Sequence, residues 1–212
     1  MVVDTKTELL DCGQALAQRH GYNGFSFSDL AREVGIKTAS IHYHFPTKGD
    51  FGKALMARYR QRFMARLEAI DLEQHDERRK LERFAGLFKE TLASGDKLCL
   101  CGMLASEYQT LPDAVRVEVR AFFEACEGWL VEVLKRGRAA QQLSFPGTSE
   151  ETAQMFLSSL EGAMVAARTF GDVGRLANAQ RWLLGAIVER KAAPARGVRA
   201  ATRKNPSRKR RR

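Results

Sequence analysis

The sequence has no long hydrophobic run, few cysteines, and no stretch that alternates apolar and polar residues. A membrane-spanning helix needs about eighteen or more consecutive apolar residues, and no segment approaches that. The first residues, MVVDTKTELLDCG, lack a basic start followed by an apolar stretch, so no secretory signal is expected. A cytoplasmic location and no membrane partner follow as expectations. The four cysteines, Cys12, Cys99, Cys101 and Cys126, are too few and too scattered for a disulfide framework, and their spacing suits no zinc site. Catalytic signatures are missing too: there is no Gly-x-Ser-x-Gly, no phosphate-binding glycine loop and no His-Glu-x-x-His. An enzyme is therefore not expected, and neither is a catalytic residue, a metal or a cofactor.

Residues 1–190 also lack any excess of charge. The formal net charge is +10. Ten lysines and arginines and no acids lie between Lys191 and Arg212, so the first 190 residues balance to zero. The high isoelectric point thus describes a tail, which has no apolar period and is expected to be disordered when free. The expected organisation is a first domain over 1–50, a second domain over 51–190, and a basic tail over 191–212.

What is present is helical periodicity, on an apolar fraction of 44% that is sufficient for a core. A first helix is expected from about Asp4 to His20. Gly21-Tyr22-Asn23-Gly24 ends it with residues that tolerate positive φ. Ser26-x-x-Asp29 is a capping pattern opening a short second helix that stops near Val34, before Gly35. Thr38 is expected to cap a third helix, closed by Phe45-Pro46. Thr47-x-x-Asp50 caps a long fourth. Further helices are expected near 79–94, 102–110, 113–140, 149–170 and 173–190. The fold class is therefore all-α.

The short second and third helices, joined by a tight glycine turn, form a helix-turn-helix pattern. Leu30, Ala31 and Val34 supply an inward face, and Ile36 and Ile41 fill the joint. The third helix then presents Thr38, Ala39, Ser40, His42, Tyr43 and His44 outward, with Lys37 just before it. Small and hydrogen-bonding side chains at its start suit close approach to base edges in the major groove. Ser26 and Ser28 begin the second helix, where free backbone N–H groups attract phosphate.

The run from Phe27 to Lys48, FSDLAREVGIKTASIHYHFPTK, closely resembles the signature of the TetR/AcrR family of transcription regulators. The resemblance covers about the first 55 residues. It implies an all-α homodimer that binds a palindromic operator in double-stranded DNA and lets go when a small-molecule effector binds. It also implies a phosphate contact from Lys48. One position departs from the family: His42 stands where a phosphate-touching tyrosine is usual. An imidazole also donates to phosphate, with a pH dependence that a tyrosine lacks.

The resemblance implies an effector pocket in the body and a dimer interface from the last two long helices. Phe63, Phe88, Cys101, Tyr108, Phe122, Cys126 and Trp129 are candidate pocket residues, though the same residue types also build ordinary cores. Helix 149–170 carries a large apolar face and a second face of small residues. Phe156, Ser159, Gly162, Ala163, Ala166, Trp182, Leu183 and Ala186 are candidates for the interface. Cys99 and Cys101 lie at an expected helix start, a setting that favours thiolate. An electrophile- or redox-sensing repressor is therefore one alternative. A transcription activator of the same family is another, and a nonspecific nucleic-acid-binding protein driven by the tail is a third.

Overall fold

The computed structural model describes residues 4–95 and 97–187. The expected tail at 191–212 lies outside these residues, as do positions 1–3 and 188–190 of the two expected domains. Helices make up the described chain: α1 (Thr5–His20), α2 (Phe27–Val34), α3 (Thr38–His44), α4 (Lys48–Glu73), α5 (Glu77–Ala93), α6 (Leu100–Ser106), α7 (Asp113–Ala139), α8 (Ser149–Phe170) and α9 (Gly174–Ile187). No strand element appears among the described residues. The protein is all-α, with an N-terminal helix-turn-helix head and a helical body.

Local chemistry sets most boundaries. Ser26 with Asp29, Thr47 with Asp50 and Thr148 with Glu151 each form a reciprocal capping box at a helix start. Gly35 ends α2 at φ 76°, a left-handed conformation that costs a residue without Cβ nothing. Three expectations change. Lys37, not Thr38, is the N-cap of α3, and no side chain caps that end, because Thr38 already lies inside the helix. The expected 102–110 helix starts earlier, at Leu100, and breaks after Ser106 into a 3-10 turn over Tyr108–Thr110. The fifth helix also starts earlier, at Glu77, because the Asp76 side chain accepts from the Arg79 backbone N–H.

α4 and α7 are the long members, at 26 and 27 residues, or about 40 Å each at 1.5 Å per residue. They pack along one another and carry the core from the head into the body. On α7 the stripe Val115, Val119, Phe122, Cys126, Leu130 and Val133 is almost completely buried. Burying each of the larger members stabilises by about 1.5–3 kcal/mol before chain entropy is counted. Gly52 marks where α4 crosses between head and body. A Cβ there would lie 2.7 Å from the Tyr22 ring and 2.9 Å from Val115, so the close approach requires glycine.

Candidate nucleic-acid interface

The recognition helix is held from behind and free in front. Ile41 and Phe45 are buried, and their rings and branches anchor α3 against α1, α2 and α4. Phe51 forms the centre of this small core, meeting Phe25, Phe27 and Phe45 edge-on at centroid distances of 6.2, 5.9 and 5.1 Å. The opposite side of α3 carries Ala39, Ser40, His42 and Tyr43, all exposed. Tyr43 is 84% exposed, with its ring against the edge of His44 at 5.1 Å. Thr5, Ile36, Ala39, Ser40, Tyr43 and His44 border one shallow depression. Seven residues of helix carrying small side chains and one projecting phenol fit the width of a major groove.

Other expected DNA contacts are already engaged within the chain. The Ser26 hydroxyl donates to Asp29 at 2.6 Å and accepts from the Asp29 backbone N–H, so the mouth of α2 holds a carboxylate of its own. Ser28 and Lys37 are exposed, and Thr38 is half-buried. His42 places Nδ1 3.1 Å from the Pro46 carbonyl. A carbonyl only accepts, so Nδ1 carries the proton. Nε2 can then donate to phosphate only when the ring is doubly protonated.

Lys48 turns inward. Its ammonium donates to the Phe25 carbonyl and lies over the Tyr22 and Phe25 rings at 4.7 and 4.8 Å. Burial lowers its pKa, against the pull of Glu107 and Asp29. Tyr22 donates to the Lys48 carbonyl at 2.7 Å. In this arrangement Lys48 ties the α1–α2 corner to the start of α4, and a phosphate must draw it outward.

The corner is also tied to the body, through groups that the sequence motifs did not reveal. Glu107 accepts from the Asn23 backbone N–H at 3.0 Å, and the Asn23 amide donates to Thr110 at 2.8 Å. Gln18 is buried at 4% exposure, donates to the Leu98 carbonyl at 2.8 Å, and accepts at its backbone carbonyl from the Leu98 N–H at 3.2 Å. Arg168 of α8 reaches the carbonyls of Gln18 and Arg19 at 3.4 Å. Only the buried polar character of Gln18 in an apolar helix face hinted at such a role.

In the body, the candidate effector residues do not surround a common space. Phe63, Phe122, Phe88, Cys101 and Cys126 are buried and packed, with Phe63 and Phe122 rings 5.1 Å apart. Trp129 stacks on Phe84 at 5.6 Å, and its indole N–H donates to Asp71 at 2.7 Å. Tyr108 lies apart, in the 3-10 turn ahead of α7, where Arg120 donates to its hydroxyl at 3.3 Å. The thiols depart from the helix-start expectation. Burial raises the pKa of Cys99, Cys101 and Cys126 well above the usual value, and the nearby Glu161 carboxylate adds to it. The Cys101 thiol donates to the Val119 carbonyl at 3.4 Å. Desolvation thus outweighs the helix end, and the thiol form prevails. Glu161 was not foreseen. Burial pushes its carboxyl up to about 7, against a hydrogen bond from Cys99, and its Oε1 is buried with no hydrogen-bond partner among the described residues.

The candidate interface residues split between two sides of α8–α9. Phe156 and Leu183 are buried within the chain. Gly162, Trp182 and Ala186 are exposed, and Ser159, Ala163 and Ala166 are half-buried. Met155, Val165 and Trp182 project at 63%, 52% and 73% exposure. A Cβ at Gly162 or Gly185 would meet nothing within 4 Å, so packing among the described residues does not require glycine at either position.

Comparison with known proteins follows the same division of the chain. The family described as "Bacterial regulatory proteins, tetR family" matches residues 9–55, and "Tetracyclin repressor-like, C-terminal domain" matches 79–183. A TetR family transcriptional regulator from Agrobacterium tumefaciens is 36% identical, with a TM-score of 0.84 over 87% of this chain and 97% of that one. A TetR regulator from Legionella pneumophila is 34% identical, with a TM-score of 0.81 over 88% and 98%. The HTH-type transcriptional repressor NemR of Escherichia coli (strain K12) is 26% identical, covering 83% of this chain and 90% of its own.

Proposed function

The chain belongs to the TetR family and is a DNA-binding regulator of transcription; from that premise we propose that it acts as a cytoplasmic homodimeric repressor, released from its operator by a small molecule. The observation that carries the DNA-contact assignment is the recognition helix, buried behind at Ile41 and bare in front at Tyr43. Tyr43, Ser40, Ala39 and Thr38 read bases or backbone, with Lys37, His44, Ser26 and Ser28 at the margins. His42 and Lys48 contact phosphate, Lys48 only after leaving Phe25.

Two heads are needed to read a palindrome, and the centres of its half-sites lie about 34 Å apart or a multiple of that. The exposed face of α8 and α9 supports the pairing. A glycine inside a helix costs about 1 kcal/mol relative to alanine, and Gly162 has open space in its own chain. A second copy approaching that face accounts for the missing side chain. Met155, Val165 and Trp182 then gain the burial they lack here. Residues up to 50 form the head, and residues 51–190 hold the dimer face and the response to effector. Buried, protonated thiols favour a repressor that answers to a non-covalent ligand over an electrophile sensor.

Sequencing the DNA fragments that the protein selects from its own genome tests the reading. A shared palindrome bound by a dimer, with reporter expression rising when the gene is deleted, is the expected result. Selection of DNA with no common sequence refutes it, and loss of expression on deletion makes the protein an activator.

A further inference from the structure

A ligand-sized cavity lies outside the aromatic core, where the head joins the body. It is a half-open cleft of about 200 Å³ between α1, α4 and the end of α5. That volume is on the order of six waters, enough for one small ring or a short acyl chain. Its apolar wall is Phe63 and Tyr59, both at 8% exposure. Its remaining surface is cationic and polar, with the Thr91 and Ser94 hydroxyls beside two amides. Arg62, Arg66 and Lys97 border it with Gln14 and Gln18, and no carboxylate is among the described residues that line it.

The cations are only partly neutralised. Asp11 lies at the rim and is shared by Arg58 and Arg62. Partial burial works against its ionisation, yet the two guanidiniums hold its pKa below the usual range. Arg66 pairs with Glu90, likewise at the rim. Each guanidinium has five N–H donors in a planar fork, so one carboxylate leaves others available for a planar anion. Among the described residues, three cations therefore border one small cleft with an apolar wall, and the carboxylates paired with two of them, Asp11 and Glu90, lie outside its lining.

We propose that this cleft binds a small organic anion, a carboxylate on a compact apolar body, and that its occupation weakens operator binding. The inference rests on the regulator reading above and names its effector class. The coupling runs through Gln18, which lines the cleft and whose amide fastens α1 to Leu98. Gln14 donates to the Gln18 side-chain oxygen at 3.2 Å, so both amides belong to one strap. A carboxylate seated between Arg62, Arg66 and the amides competes for these donors and shifts α1 against α4. Because α1 carries the recognition helix, the distance between the two heads of a dimer changes with it.

Benzoate is the probe, with benzamide as its neutral counterpart, each titrated calorimetrically into the full-length protein without DNA. Saturable binding of one benzoate per chain in the millimolar range or tighter is expected, with benzamide at least about tenfold weaker. The Arg66→Gln/Lys97→Gln double variant should lose benzoate binding by a similar factor while keeping its helical circular dichroism and thermal midpoint. Absence of saturable benzoate binding, equal binding of benzamide, or full benzoate binding by a folded double variant each overturns the site. Should the double variant fail to fold, Lys97→Gln alone replaces it, with a smaller expected loss.

A second arm measures operator affinity with and without benzoate. Coupling is reciprocal, so operator DNA must weaken benzoate binding by the factor by which benzoate weakens operator binding, about fivefold or more. Benzoate binding with no change in operator affinity overturns the regulatory claim. A protein that selects no operator at all refutes the repressor reading, and the calorimetric arm still decides the cleft.

Discussion

Tyr43 on α3 and Trp182 on α9 are large aromatic side chains left in water on two different surfaces. Their exposure is similar, and their neighbours are opposite. Tyr43 is surrounded by Ser40, Ala39 and His44, side chains that are small or able to form hydrogen bonds. Trp182 borders a groove with Met155, Phe156, Leu183 and Ala186, next to a helix face opened by Gly162. Exposed apolar area costs on the order of 25 cal/mol per Å², so neither aromatic is retained for the isolated chain's stability. The difference lies in what each surface can satisfy. A polar, narrow ridge suits a hydrated polyanion, and an apolar groove beside a smooth helix suits a dry protein partner. One surface is set for reading and the other for pairing.

The largest effect should come from damaging the pairing surface. Gly162→Leu adds a side chain where the chain itself has room, so the monomer should keep its fold. Overpacking between copies costs about 1–3 kcal/mol or more, and light scattering should show monomers at concentrations where the wild type is dimeric. Operator affinity should fall with dimerisation. A dimeric Gly162→Leu protein would place the interface elsewhere.

Between the two surfaces, Glu161→Gln probes the interior without touching either. The native carboxyl titrates at about 7, above the ordinary value of 4.5, so the folded state holds a proton that the unfolded state has released. The stability from that proton is fully present below pH 4.5 and is lost as pH rises through about 7. At pH about 8, the neutral amide should be more stable than the wild type by roughly 2–3 kcal/mol. Denaturant midpoints across pH should fall for the wild type and stay flat for the variant. Parallel curves would show that Glu161 has an ordinary pKa.

On the reading surface, Tyr43→Ala should cost about 1–3 kcal/mol in operator affinity if the phenol touches a base. Dimerisation should be unchanged, which separates this surface from Trp182. Lys48→Ala should weaken operator and random DNA alike and also lower the thermal midpoint, since its ammonium closes the Phe25 corner. Operator affinity unaltered in both variants would move the DNA contacts off this helix.

The smallest effect concerns the thiols. Alkylating reagents should leave operator binding intact over times when the fold stays closed, and Cys101→Ser should respond as the wild type does. Rapid release of DNA on alkylation, abolished by Cys101→Ser, would restore the sensor reading.

Much of the head was legible because its determinants are local. The Ser26–Asp29 and Thr47–Asp50 boxes each act within four residues, and Gly35 answers to its own φ. The α3 start was misread by one residue because a threonine looks the same one position inside a helix as at its cap. The body was legible as helices and not as a site. Phe63, Phe122 and Trp129 have the composition of a pocket wall, and whether such rings enclose space or fill it depends on partners dozens of residues away. The cysteines failed for a related reason. Sequence placed them near a helix end, and only the burial beside Glu161 decided their protonation.

Sequence alone therefore determined the all-α class, the head and its exposed helix, and the small-residue face of α8, since each follows from periodicity or from contacts within about one helical turn. Tertiary structure decided that Lys48 folds onto Phe25, that Gln18 and Glu107 fasten the head to the body, and that cations from α4 and Lys97 share one cleft. These depend on long-range packing, where desolvation and distance set the charge and reach of a side chain, and residue spacing along the chain carries neither quantity.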